Sequence, residues 1–208
     1  MDEINRKIHW KAVYQKKSPL EVSWYQAHLT KSLELVVESG VDKKAKIIDV
    51  GGGASTFVDD LCEKGYGNLT VLDISSEALS ESKKRLGEKA KRIAWHESDI
   101  LKVDLPENAF DLWHDRAVFH FLTKAEERKV YLKVLKQSLK RGGFLIVAAF
   151  NLEGPLKCSG LEVMRYSSET LAKELGDGFT LLRSMNENHQ TPFDTLQNFV
   201  YCLFRKNT

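Results

Sequence analysis

The sequence predicts an α/β protein built on a doubly wound, mostly parallel sheet, and three observations carry that prediction. An apolar run, Lys46-Ile47-Ile48-Asp49-Val50, passes through Gly51, Gly52 and Gly53 into the helix-compatible segment Thr56 to Leu61. A second β-prone run, Asn68 to Asp73, ends in another carboxylate about 20 positions beyond the glycines. Strand-like and helix-like segments then alternate as far as Phe150, which is the pattern of right-handed parallel crossovers.

The chain begins with a segment, 4–16, in which Ile4, Ile8 and Ala12 form a stripe at helical spacing beside Trp10, Val13 and Tyr14. Ser18-Pro19 interrupts it. Val22 to Gln26 is aromatic, with Trp24 and Tyr25, and a helical run from Leu29 to Val37 closes at Ser39-Gly40. Residues 1–40 thus read as a helical and aromatic arm ahead of the sheet.

The strand at 46–50 comes first in the sheet. Without a Cβ, the glycine turn after it lets a ligand lie against the backbone at the strand's carboxyl end. A helix over 56–64, a strand over 69–73 and a helix over 75–86, opened by Ser75 or Ser76, follow. Arg92 to His96 is the third strand and runs into Glu97-Ser98-Asp99-Ile100. Phe110 to His114 is the fourth, after the turn Leu105 to Asn108. Thr123-Lys124-Ala125-Glu126 has the form of a capping box, and Tyr131, Leu135 and Leu139 at four-residue spacing predict a helix over 124–139. Arg141-Gly142-Gly143 ends that helix, and Phe144 to Phe150 reads as a fully buried strand.

Beyond Phe150 the pattern changes. The stretch 151–166, with Gly154-Pro155 and Cys158-Ser159-Gly160, is long for a connection and is a candidate substrate-side loop. A helix near 168–175 precedes two strands, Phe179 to Met185 and Asn198 to Phe204, with no helix between them, which predicts an antiparallel pair.

At 208 residues the chain suits one domain. Its net charge of +2, from 31 basic and 29 acidic residues, offers no electrostatic footprint for nucleic acid or an anionic membrane. No run approaches the ~20 apolar residues needed to span a bilayer, and Met1 to Lys7 lacks the apolar core of a secretory signal, so the expected compartment is the cytoplasm. Cys62, Cys158 and Cys202 are odd in number and far apart, unlike a disulfide framework or a cysteine zinc site.

The pattern Asp49-x-Gly51-x-Gly53-x-Ser55 resembles the first motif of the class I S-adenosylmethionine-dependent methyltransferases, with Ser55 where that family usually has a third glycine. The likeness spans about 45 to 204, with the order of elements, Asp73 and Asp99 in register. It implies a seven-stranded sheet with helices on both faces, the last strand antiparallel and inserted beside the fifth. It also implies S-adenosylmethionine as cofactor and S-adenosylhomocysteine as product. Carried over, the cofactor-binding residues are Asp49, Gly51, Gly52, Gly53, Asp73, Ile74, Asp99, Ile100, Asp115 and Arg116, with ribose on Asp73 and adenine beside Asp99. More narrowly, Trp10 and Tyr14, Ser23-Trp24-Tyr25 and Gly67 to Ser75 look like the amino-terminal layout of lysine methyltransferases that act on elongation factors. Phe119-His120-Phe121-Leu122 instead looks like the Leu-His-His-Leu segment of small-molecule methyltransferases.

Methyl transfer from a sulfonium is an in-line displacement that needs alignment, exclusion of water and, for a protonated acceptor, a base. His120 and Asp115 are the candidate catalytic residues, His120 because an imidazole titrates near neutrality. Trp24, Tyr25, Cys158, Arg165, Tyr166 and His189 are the candidate substrate residues, and insertions on one rim predict an enclosed small-molecule acceptor. A protein lysine is the alternative acceptor, and a non-enzymatic nucleotide-binding or scaffold protein the alternative from another class. His114, Asp115, His120, Cys158 and His189 have the chemistry of zinc ligands, but their spacing defines no tetrahedron, and no metal is expected.

Overall fold

The computed structural model describes residues 3–208, with side chains from Arg6 onward. In chain order the elements are α1 (Glu3–Lys16), α2 (Thr30–Ser39), β1 (Lys46–Val50), α3 (Phe57–Glu63), β2 (Asn68–Asp73), α4 (Ser76–Leu86), β3 (Ala94–Glu97) and β4 (Phe110–Arg116). They continue with α5 (Ala125–Ser138), β5 (Leu139–Phe150), the short strands β6 (Lys157–Cys158) and β7 (Leu161–Glu162), α6 (Ser168–Leu175), β8 (Phe179–Gln190) and β9 (Leu196–Lys206). Single 3-10 turns at Pro19–Glu21 and Phe119–Phe121 join some of them.

The main sheet has seven strands in the order β3-β2-β1-β4-β5-β9-β8. The first five are parallel, and β9 runs antiparallel to both of its neighbours. This is the architecture expected from the resemblance, with the last strand reversed beside the fifth. Strand order turns around between β1 and β4, so a crevice opens at their carboxyl ends.

Side-chain alternation divides the core between the two faces of the sheet. Ile47, Leu112, Ile146 and Tyr201 join Leu35, Phe57 and Leu61 on the side of α2 and α3. Ile48, Trp113, Leu145 and Cys202 join Tyr131, Leu135 and Leu171 on the side of α5 and α6. Fully buried strands covered on both sides are what the near-continuous apolar runs of β1 and β5 require.

Several local expectations change. Thr123 does not cap α5: Lys124 holds the N-cap position without a side-chain bond, so the capping-box pattern is not used. Arg141-Gly142-Gly143 does not end a helix but lies inside β5, where Gly142 at φ +70° and a register shift opposite Phe110 and Leu112 form an irregularity in the β4 pairing. The 151–166 stretch is not structureless, because β6 and β7 form a small hairpin within it. The apolar stripe predicted on α1 faces water at Ile8, which is 59% exposed, while the side chain of Ile4 lies outside the described residues. The face of α1 turned inward is instead Arg6, Trp10 and Tyr14, four residues apart.

Candidate active site

β1 delivers the chain into a turn that only glycine fits. Gly51 sits at φ +71°, and a Cβ there would lie 2.0 Å from Val118 Cγ2. A Cβ on Gly53 would lie 2.5 Å from Asp73 Oδ2, close enough that the Gly53 N–H instead donates to that oxygen at 3.0 Å. Asp73 Oδ1 accepts from Ser75 N–H at 2.8 Å, and Ser75 in turn caps α4 by accepting from Ala78 N–H. Burial pushes the Asp73 carboxyl up to about 6, against these stabilising hydrogen bonds. Ser55 accepts from Phe57 N–H at the start of α3, so the position that departs from the three-glycine pattern serves the helix.

Two cavities meet over this turn. The larger, about 880 Å³, is lined by Asp73, Ile74, Asp99 and Ile100 at the ends of β2 and β3 and by Trp10, Tyr14, Trp24, Phe121, Cys158 and Phe199 opposite them. The smaller, about 490 Å³, is lined by Asp49, Gly52, Ser55, Thr56, His114, Tyr25 and Gln26. Tyr14, Trp24, Gly51 and Arg116 belong to both.

α1 roofs the larger cavity. Arg6 Nη1 lies 3.6 Å from Asp99 Oδ2 and its Nη2 pairs with Glu127, while Lys7 pairs with Glu97 at 2.7 Å and Lys11 with Glu77 at 3.6 Å. Trp10 meets Trp24 and Phe121 edge to face, with ring centroids 5.7 and 5.2 Å apart.

Arg116, at the end of β4, is fixed on three sides. Its Nε donates to Tyr201 Oη at 2.8 Å, its Nη1 donates to Trp24 O at 3.0 Å, and its guanidinium carbon sits 4.6 Å from the Phe199 ring centroid. Its Nη2 is buried without a hydrogen-bond partner. Tyr201 Oη in turn donates to Glu187 Oε2 at 2.9 Å. Ala117, next in the chain, is held at φ +70°, a strained conformation for a residue with a Cβ.

Asp49 Oδ1 pairs with His114 Nδ1 at 2.7 Å, and His114 Nε2 pairs with Ser32 Oγ at 2.8 Å. Asp49 Oδ2 is buried and has no partner. Three buried atoms of charged side chains around the cleft, Asp49 Oδ2, Asp99 Oδ2 and Arg116 Nη2, therefore lack a hydrogen bond, as does Gln26 Oε1, where nearly all such groups in folded proteins have one. The carboxylate oxygens fit cationic or hydrogen-bond-donating groups and the guanidinium nitrogen an anionic one.

Other predicted site residues lie elsewhere. Asp115 is fully buried and lines neither cavity: its carboxylate accepts from Val118 N–H at 2.9 Å and from Tyr131 Oη at 2.6 Å, and burial raises it to about 6. It fixes the 118–121 turn instead of meeting a ligand. His120 is also fully buried, its ring against Phe121 and Phe150, with both nitrogens unpartnered and its pKa lowered to about 3 by burial. A histidine that stays neutral outside the cavity cannot take a proton from an acceptor within it. His189 accepts at Nδ1 from Gln26 Nε2, 3.1 Å away, and so donates from Nε2 to Ser23 O at 2.8 Å, pinning the 22–26 arm to β8. Arg165 donates to Leu152 O and Gly154 O and holds the loop, while Tyr166 packs on Phe119 and borders a different surface cleft. Cys158 and Trp24 do face the larger cavity, and Tyr25 faces the smaller. Sequence reasoning missed Arg6 and Phe199. The four-residue spacing of Arg6, Trp10 and Tyr14 carried the signal for Arg6; Phe199 carried none.

Known proteins share this fold. The family described as Methyltransferase domain matches residues 48–147. Human EEF1A lysine methyltransferase 2 is 22% identical over 196 residues, covering 88% of this chain and 77% of that protein. A solved structure from work on conversion of a disulfide bond into a thioacetal group during echinomycin biosynthesis superposes with a TM-score of 0.78 at 17% identity, over 97% of this chain and 92% of that one. Burkholderia thailandensis 1,6-didemethyltoxoflavin-N1-methyltransferase, solved with 1,6-didemethyltoxoflavin and S-adenosylhomocysteine bound, has a TM-score of 0.69 at 18% identity, over 99% and 85%. The matched residues include the glycine turn and Asp73, and together with the fold they support a class I S-adenosylmethionine-dependent methyltransferase.

Proposed function

We propose that the enzyme moves a methyl group to a nucleophile on a small-molecule acceptor, and that residues 1–208 act as one methyltransferase unit with 1–40 as its roof. The observation that carries this reading is the enclosure of the larger cavity: α1, Trp24, Phe121 and Cys158 of the β6–β7 hairpin surround the space beyond Asp73 and leave a pocket suited to a compact molecule. When bound, S-adenosylmethionine supplies a methyl group on a sulfonium whose sulfur keeps the bonding pair as the methyl leaves. Asp73 would hold the ribose hydroxyls, Asp99 and Ile100 the adenine, and Asp49 Oδ2 the methionine ammonium, with Gly51, Gly52, Gly53 and Ile74 forming the bed. Trp10, Tyr14 and Trp24 exclude water from the reacting end. The three cysteines are unpaired thiols, which suits a reducing compartment such as the cytoplasm.

A protein lysine is the second reading, favoured by the likeness to human EEF1A lysine methyltransferase 2 along most of the chain. A transfer assay with radiolabelled methyl donor, run on cell extract separated into small-molecule and protein fractions, decides between them. Label in the small-molecule fraction is the expected result. Label confined to a single protein band would replace this reading with the lysine one.

A further inference from the structure

We infer that the acceptor enters as a preformed anion, a thiolate or a carboxylate on a compact apolar body, and that Arg116 selects it. This rests on the methyltransferase reading above and names the chemistry of its acceptor.

Arg116 is the first ground. Two of its nitrogens are spent on Tyr201 and Trp24 and its plane is stacked on Phe199, so the guanidinium cannot swing away. Its Nη2 is left buried beside the cavity with no acceptor. A desolvated charged donor without a partner is costly, and an anion placed there satisfies it with a charge-assisted hydrogen bond.

The walls are the second ground. Opposite Asp73 and Asp99 the cavity presents aromatic rings, Cys158 and Arg116. Burial pushes the Cys158 thiol up to about 12, so it is neutral. Among the described lining residues the carboxylates are Asp73 and Asp99, both at the cofactor end, which leaves an acceptor ammonium facing a guanidinium with no counter-charge.

Proton balance is the third. A protonated nucleophile must lose a proton during transfer, and with Asp73 and Asp99 taken by the cofactor the described residues of the cavity wall offer no free base. His120 stays neutral outside it, Asp115 is saturated with donors, and burial raises the Tyr14 phenol. An anion brings its own electron pair to the methyl carbon and has no proton to lose, while the guanidinium beside it favours the ionised form.

Three probes of similar shape test this on the S-adenosylhomocysteine-loaded protein at mildly alkaline pH: benzenethiolate, benzoate and benzylammonium, followed by quenching of Trp10 and Trp24 fluorescence. At least one anion should bind ten-fold or more tighter than benzylammonium. Mass spectrometry with S-adenosylmethionine then distinguishes the nucleophiles, since thioanisole marks a thiolate and methyl benzoate a carboxylate. In Arg116→Gln the anion preference should vanish while S-adenosylhomocysteine affinity, by calorimetry, stays within about two-fold. S-adenosylhomocysteine binding with no preference for either anion in the wild-type protein would overturn the inference. So would a folded Arg116→Gln variant that loses S-adenosylhomocysteine, because Arg116 would then serve the cofactor's carboxylate. Failure of the wild-type protein to bind S-adenosylhomocysteine would sink the cofactor assignment itself.

Discussion

Asp73 combines the two things a ribose anchor needs, a fixed position and an ionisable oxygen pair. Its backbone donors, Gly53 and Ser75, hold it in place, and burial keeps its carboxyl near 6 in the unliganded protein. Hydroxyl donors prefer the ionised form, so S-adenosylhomocysteine affinity should fall as pH drops through about 6, a dependence that Asp73→Asn should abolish; calorimetry across that range reads it. His120 behaves oppositely in stability. The folded protein leaves it unprotonated down to about 3, whereas the unfolded imidazole takes a proton below its ordinary value of 6.5, so His120 subtracts stability as pH falls through that value. His120→Leu should therefore lose less melting temperature on acidification than the wild type. It should also retain methyl transfer, because the ring lies outside the cavity; a hundred-fold loss of rate in a folded variant would restore the base assignment.

At the scale of elements, the β1 turn and α1 do different work. Gly51→Ala must accommodate both a left-handed φ and a methyl 2.0 Å from Val118 Cγ2, and should cost ~2 kcal/mol or more in urea unfolding. α1 is fastened by Trp10 and Tyr14 packed on Trp24 and Phe121 and by charge, through Arg6 to Asp99 and Glu127, Lys7 to Glu97 and Lys11 to Glu77. The two lysine pairs involve side chains more than half exposed on the lysine side, where a pair contributes only ~0–1 kcal/mol, and salt weakens it further. Amide exchange in α1 should thus quicken at high salt and slow when S-adenosylhomocysteine fills the cavity beneath; equal protection with and without ligand would make α1 a fixed part of the core. Local pattern revealed the strand, glycine turn and helix because each depends on neighbours in sequence. It could not reveal the extension of β5 back to Leu139 or the length of the β8–β9 hairpin, since those are set by cross-strand pairing with Phe110 and Lys206. Nor could it separate Asp115 from Asp73: both are acids at strand ends with carboxyls raised to about 6, and it takes the donors on Asp115, Val118 N–H and Tyr131 from α5, and its absence from the cavity walls to show that one is structural.

For the whole molecule, the sheet's change of direction between β1 and β4 brings Asp49, Asp73, Asp99 and Arg116, from four different strands or their ends, around one cleft. Alternation of strands and helices made that crevice legible from the sequence, while the roof was legible only as a cluster of aromatics whose partner, Phe199, comes from the far hairpin strand β9. No helix among the described residues is long and apolar enough to cross a membrane. The central claim is that this cleft receives S-adenosylmethionine with its ribose on Asp73, and titration calorimetry of S-adenosylhomocysteine into wild-type and Asp73→Ala protein tests it most directly. Two charge-assisted hydrogen bonds of ~1.5–3 kcal/mol each are at stake, so the variant should bind at least ten-fold more weakly with its fold intact. Equal affinity in the two proteins would contradict the account.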